Sequence, residues 1–265
     1  MSRITDIFRP GYKALIGYIT AGYPDLKATP EIAEVLVKNG CDIIELGIPF
    51  SDPLADGVTI QKSSYEALKK GMTPRVCLET ATEVRKKVRV PLIFMTYYNP
   101  VLNYGLHRFC HDCVEAGIDG LIVPDLPPEE GIELEAITIE NGLDLVYLLA
   151  PTSTDDRIAT VAGRSRGFIY MVSLTGVTGA RDTLPVELEE FVRRVRQKSK
   201  QALCVGFGIA TPEQARRVAA IADGVIVGSR IIQLIEEDTA LARLRDFISG
   251  MRQALDTFEI AKEVS

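Results

Sequence analysis

Short apolar runs recur along the chain at 14–20, 42–46, 91–97, 120–124, 144–149, 168–173, 202–206 and 223–227, separated by longer amphipathic stretches. Most of the runs lack the polar alternation of a strand with one wet face, so they are predicted to be parallel strands covered by helices. The stretches between them carry helix signals. Thr211-Pro-Glu-Gln214 places a threonine at an N-cap, a proline at the first helical position and a glutamine at N3, the pattern of a capping box. Thr73-Pro74 and Thr29-Pro30 repeat the cap-plus-proline pattern, and Asn39-Gly40 and Ala116-Gly117 end helices with a residue that accepts the left-handed conformation. Eight strands alternating with helices, without a linker or a shift in composition, predict a single (β/α)8 TIM barrel over residues 1–265 in preference to a doubly wound open sheet. Three extra short helices are expected: 2–8 closing the barrel bottom, 58–70 after the second strand, and 229–236 after the eighth. A final helix over 239–255 leaves 256–265 as a frayed tail.

Composition narrows the function classes. Hydrophobic residues make up 46% and charged residues 25%, an ordinary globular balance, and the net charge of −6 argues against nucleic-acid binding, which needs a basic face. A small anionic substrate stays open, because backbone N–H groups can hold a phosphate whatever the net charge. The first residues lack the basic-then-apolar pattern of a signal peptide, and no apolar run approaches the ~20 residues of a membrane span. Five cysteines read as reduced thiols, and the expected location is the cytoplasm.

Active sites of such barrels sit at the C-terminal ends of the strands, so the chemistry is sought there. The seventh strand ends in Gly206-Phe-Gly208 and the eighth in Gly228-Ser229, where glycines allow close backbone approach and Ser229 can cap the short helix behind it. These positions suit a phosphate site, to which Gly176-Val-Thr-Gly179 after the sixth strand could add donors. The second strand, Asp42-Ile-Ile-Glu-Leu46, puts Ile43 and Glu45 on one side. A carboxyl group among apolar neighbours there is costly without a partner or a task, and desolvation would raise its pKa into the range of a proton donor near neutral pH. The following loop supplies Asp52 and Asp56, either of which could be the second acid or merely a turn residue. His107, Cys110, His111 and Cys113 have metal-like spacing on one predicted helix, but the cysteines read as core residues, and no metal is expected. With only two histidines, both in that helix, no Ser-His-Asp set is formed.

The segment Glu45-Leu-Gly-Ile-Pro-Phe-Ser-Asp-Pro-Leu-Ala-Asp-Gly-x-x-Ile-Gln61 resembles the signature of tryptophan synthase α subunits. The resemblance continues through Tyr18-Ile-Thr-Ala-Gly22, Met95-Thr-Tyr-Tyr-Asn99, Val123-Pro-Asp125, Tyr170-x-x-Ser-x-x-Gly-Val-Thr-Gly179, Gly206-Phe-Gly-Ile209 and Gly228-Ser229. It implies a lyase that cleaves indole-3-glycerol phosphate to indole and glyceraldehyde 3-phosphate in tryptophan biosynthesis. It further implies that Glu45 moves protons between indole C3 and the glycerol hydroxyl, that Asp56 pairs with the indole N–H, and that Tyr170 stands near both. Tyr18 would pack on the indole, Tyr97, Ile122 and Leu148 would line its pocket, and Thr178 would help order Asp56. Backbone N–H groups of Gly179, Gly208, Gly228 and Ser229 would bind phosphate. No cofactor is implied in this subunit. The implied partner is a pyridoxal-phosphate-dependent β subunit in an αββα heterotetramer that consumes the indole. One departure is a loop over 176–184 that looks shorter than in the family. Another phosphate-binding barrel, such as indole-glycerol-phosphate synthase or a sugar-phosphate isomerase, would share the phosphate site, but the synthase would be expected to carry catalytic lysines at strand ends, and none stands there. A silent barrel that only docks on a partner fits poorly with two intact carboxylates. Pro49, Phe50, Pro53 and Leu54 form an apolar set that suits either a docking surface or a lid over the barrel mouth.

Overall fold

In a computed structural model the structure describes residues 2–172, 186–206 and 208–263. The strands are β1 (Ala14–Thr20), β2 (Ile43–Gly47), β3 (Leu92–Met95), β4 (Gly120–Ile122), β5 (Asp144–Val146), β6 (Leu148–Leu149), β7 (Ile169–Val172), β8 (Leu203–Gly206) and β9 (Gly224–Val227). All pairings are parallel, in the order β5-β4-β3-β2-β1-β9-β8-β7-β6. The two ends of that order are one strand interrupted at Tyr147. The Arg166 N–H donates to the Leu145 carbonyl and the Tyr170 N–H to the Tyr147 carbonyl, so the sheet closes across the interruption. The nine segments therefore make the predicted eight-stranded barrel, its sheet closed on itself.

Closure explains why the strands showed no alternation. Ile16, Ile43, Ile93, Ile122, Val146 and Ile226 point into the barrel. Their neighbours Leu15, Ile44, Leu92, Leu121, Leu145 and Val225 point out to the helices. Both faces are apolar because both are covered.

The bottom of the barrel is closed as expected. A 3-10 turn (Thr5–Ile7) follows Ile4, which is fully buried. Gly120 and Gly167 leave room for it: a Cβ at either would lie 2.8 or 2.9 Å from the Ile4 side chain. Three aspartates just ahead of strands then tie neighbouring strands to helices. Asp42 accepts the Leu15 N–H at 2.8 Å, Asp119 the Leu92 N–H at 2.8 Å and Asp223 the Leu203 N–H at 2.8 Å. Each also takes an arginine, from α11 (Arg252), α3 (Arg85) and α8 (Arg196) respectively, where α3 is Pro74–Lys87, α8 Val186–Lys198 and α11 Ala242–Glu263. The N-terminal end is thus built for stability, the part it plays in this architecture.

The helices follow their signals with two corrections. Thr211 and Gln214 form the full capping box of α9 (Pro212–Ile221), and Thr73 caps α3. Thr29 does not cap α1 (Thr29–Lys38). Ala28 is the N-cap, and the Thr29 hydroxyl instead accepts the Gly22 N–H at 2.9 Å, which pins the turn after β1. The last helix begins later and ends later than expected. Asp238 draws the Arg243 N–H at 3.0 Å, delaying the start, and no glycine or proline follows Leu255 to stop it before Glu263. An Arg252–Asp256 pair at 2.7 Å carries the helix past the expected end. Among the described residues no helix is long and apolar enough to cross a membrane.

Ile4 is a plug remote from the strand ends that carry the site. Ile4→Ala is expected to lower the free energy of unfolding by about 3 kcal/mol, measured by urea denaturation, with substrate KM unchanged.

Candidate active site

Glu45 follows Ile43 by two residues on β2 and therefore points into the same interior, opposite Tyr18 on β1 and Ile93 on β3. It is fully buried, and neither carboxyl oxygen has a hydrogen-bond partner. Burial alone pushes its pKa up to about 8. A glutamate in this state is a carboxylic acid at neutral pH.

Two tyrosines lie beside it. Tyr18 and Tyr170 are each 5% exposed. Burial, and then the charges of Asp56 and Glu45, push both phenols upward, so both stay protonated. Each occupies space that a glycine leaves. A Cβ at Gly47 would sit 2.1 Å from the Tyr18 hydroxyl, and one at Gly206 would sit 2.4 Å from that of Tyr170. The role of Gly206 is therefore to admit Tyr170, where the sequence suggested close approach to phosphate. Gly47 was not singled out in the sequence, although a glycine ending an apolar strand is a signal of close approach.

Asp56 stands in the loop between β2 and α2 (Val58–Lys69). The Ala55 N–H donates to the Tyr97 hydroxyl at 2.9 Å, Phe50 packs on the Tyr97 ring at 5.3 Å, and the Gln61 amide donates to the Asp56 carbonyl at 2.9 Å. Burial raises the half-buried Asp56 carboxyl to about 6, and its hydrogen bond with Tyr97 holds it down. Tyr97 thus serves as an anchor for the Asp56 loop. Gln61, inside the recognised segment, was given no role in the sequence. The apolar set of this loop divides: Pro49 is buried, Phe50 lies against Tyr97, and Leu54 is 95% exposed together with Val58 at 83%. Asp52 is exposed and takes the Ser51 hydroxyl at 2.6 Å, a turn role.

At the ends of β8 and β9, Gly208 adopts a left-handed φ of 77°, and α10 (Ser229–Glu237) begins. Ser229 does not cap this helix. Gly228 is the N-cap, without a side-chain hydrogen bond, and Ser229 is the first helical residue. The first-turn N–H groups are consequently not consumed by a cap and are suited to an anion. A Cβ at Gly228 would touch the Tyr18 Cβ at 3.4 Å, so this end adjoins the tyrosine that lies across from Glu45. On the opposite side, Ile122 belongs to the inner cluster with Tyr170, and Leu148 packs against it. Leu148 also lines a cavity of about 330 Å³ with Leu126, Tyr147 and Val172. Thr178, Gly179 and the 176–184 loop lie outside the described residues. Cys110 and Cys113 are buried and His107 and His111 exposed, and among the described residues no cluster could hold a metal ion.

A model of the tryptophan synthase alpha chain family matches residues 5–258. The chain is 56% identical over 256 residues to the tryptophan synthase alpha chain of Dehalococcoides mccartyi, spanning 97% of this chain and 100% of that protein. It is 48% identical over 262 residues to that of Geobacter sulfurreducens, spanning 96% and 99%. The crystal structure of tryptophan synthase subunit alpha from Legionella pneumophila superposes with a TM-score of 0.90 at 38% identity, covering 97% of this chain and 99% of that one. A chain of Mycobacterium tuberculosis tryptophan synthase gives 0.89 at 40% identity, covering 96% and 98%. With a closed barrel, a buried glutamate and this likeness along nearly its whole length, the chain belongs to the tryptophan synthase alpha chain family.

Proposed function

We propose that Glu45 and Asp56 divide the cleavage of indole-3-glycerol phosphate between them, Glu45 moving protons and Asp56 stabilising charge. The reaction is that of the family, a carbon–carbon lyase of tryptophan biosynthesis. The observation that carries the division of labour is the partnerless, fully buried Glu45, with a pKa near 8 beside an Asp56 near 6. Between those values one acid is protonated and the other ionised, the arrangement a two-carboxylate mechanism needs.

Glu45 gives its proton to indole C3, leaving positive charge on the ring. The Asp56 carboxylate accepts the indole N–H as that charge develops. Glu45, now ionised, takes the proton of the glycerol C3′ hydroxyl while the C3–C3′ bond breaks. Indole and glyceraldehyde 3-phosphate leave, and Glu45 ends protonated as it began. Gly208, Gly228 and Ser229 hold the phosphate through backbone N–H groups, with Gly179 completing the set, and Thr178 orders Asp56. Tyr18, Ile122 and Leu148 enclose the indole, and Tyr170 screens Glu45 from water. Anchoring both ends of the substrate brings C3 to the acid. This subunit needs no cofactor of its own. Its partner is a pyridoxal-phosphate-dependent β subunit, in an αββα assembly in the cytoplasm, and the exposed Leu54 and Val58 supply an apolar docking surface beside Asp56.

The direct test is to incubate the chain with indole-3-glycerol phosphate and follow both products. Glu45→Gln should lower indole release by about 10²–10⁴-fold, and activity within about threefold of wild type would reject the proton-transfer role. The same variant has a stability signature. The folded pKa of Glu45 lies above its ordinary value of 4.5, so folding takes up a proton and wild-type stability declines as pH rises from about 4.5 to about 8. Glu45→Gln should therefore gain stability relative to wild type at pH 8 compared with pH 5, in paired urea titrations.

kcat/KM of the wild type should be bell-shaped, rising through about pH 6 as Asp56 ionises and falling through about pH 8 as Glu45 does. Asp56→Asn should be severely slowed and should lose the acid limb. An unchanged limb would assign it to another group.

Leu54→Glu should abolish stimulation by β subunit while sparing the basal rate. Full stimulation of that variant would place the docking surface elsewhere.

A further inference from the structure

We propose that the buried hydroxyl pair Thr20–Ser63 is a positioning device for the reaction, setting helix α2, and with it Asp56, against the barrel. The inference rests on the role given to Asp56 above.

Helix α2 is docked in an unusual way. The residues it fully buries are Ser63, Ser64 and Ala67. Other helices bury branched or aromatic side chains, such as Ile32 and Leu36 on α1 or Leu188 and Phe191 on α8. Small side chains make few dispersion contacts and tolerate sliding, so apolar packing alone sets the register of α2 poorly. A specific bond takes that place. The Thr20 and Ser63 hydroxyls lie 2.6 Å apart, each residue 1% exposed, joining the end of β1 to the middle of α2. Asp56 precedes the N-cap, Gly57, so it lies about two helical turns from Ser63 and moves with the helix.

The bond is extended at both ends. The Ser63 hydroxyl also reaches the Ile60 carbonyl, at 2.9 Å, within its own helix. The Thr20 hydroxyl lies 3.4 Å from that of Tyr18, the neighbour of Glu45 across the strand pair. One bond thus ties the helix that follows Asp56 to the strand that carries Tyr18.

Thr20→Val and Thr20→Ser separate this role from simple packing, since the first keeps the shape and loses the hydroxyl while the second does the reverse. Single-turnover and steady-state rates with indole-3-glycerol phosphate are measured for both, for Ser63→Ala, and for Thr20→Val/Ser63→Ala. Expected are a kcat roughly tenfold lower in Thr20→Val and in Ser63→Ala, KM within about twofold, and retained kcat in Thr20→Ser. The double variant should be no slower than either single one, because one bond is lost in all three. Equal losses in Thr20→Val and Thr20→Ser, additive losses in the double variant, or an unchanged kcat in Thr20→Val would each overturn the proposal. Asp56→Asn is run alongside. Near-wild-type turnover there would remove the role of Asp56 itself, whereas a severe Asp56→Asn beside a normal Thr20→Val would remove only the positioning device.

Discussion

A carboxyl group sealed inside a barrel without a hydrogen-bond donor is the constraint on which this molecule turns. An ionised glutamate in that setting would be too costly to keep, so the fold settles on the acid form, and the cost appears as a pKa near 8. The surroundings are arranged to maintain that state. Gly47 and Gly206 admit two tyrosine rings that occupy the space beside Glu45. Neither phenol bonds to it. A single donor aimed at Glu45 would favour the carboxylate and draw its pKa back toward the ordinary value, ending its use as an acid at neutral pH.

The two ends of the barrel treat charge in opposite ways. At the N-terminal end Asp42, Asp119 and Asp223 each meet a strand N–H and an arginine, so every charge has its partner. At the C-terminal end Glu45 has none, and Asp56 is only half-buried, with Tyr97 bonding its carboxyl group. Groups with full partnerships have no free energy left to exchange with a ligand. Those without can gain it on binding, which suits the end of the barrel where the chemistry is proposed.

Much of this was legible in the residues. The eight strands fall within a few positions of their expected places, because closure and helix cover leave both faces apolar and the runs unmistakable. Glu45 stood out as a carboxylate in an apolar run, and its burial follows from its two-residue spacing from Ile43. What escaped the sequence were choices among equivalent partners. The Thr29 hydroxyl could cap a helix or pin a turn, and Ser229 could be a cap or a first residue; only the path of the chain decides. The break of the fifth strand at Tyr147 has no local signal, since its pairing depends on β7. The Thr20–Ser63 bond joins residues 43 positions apart, each unremarkable alone.

The placement of the two acids on different kinds of backbone has a physical reason. The acidity of Glu45 depends on fixed desolvation, and a strand hydrogen-bonded on both sides gives it the same environment in every molecule. In the proposed mechanism Asp56 has a different requirement: substrate must pass the barrel mouth before the carboxylate can meet the ring nitrogen. A loop can open where a strand cannot, but a loose loop would forfeit the alignment that gives the charge its effect. The anchors resolve this by acting on the neighbours of Asp56 more than on its carboxylate. Tyr97 holds the Ala55 N–H and Gln61 the Asp56 carbonyl, so the backbone is located on both sides of a carboxyl group that meets one tyrosine. Leu54, two residues away and almost fully exposed, lies on the same short segment. In the proposed docking, covering it would bear on a backbone held at both flanks by those two hydrogen bonds, beside a barrel too well packed to yield.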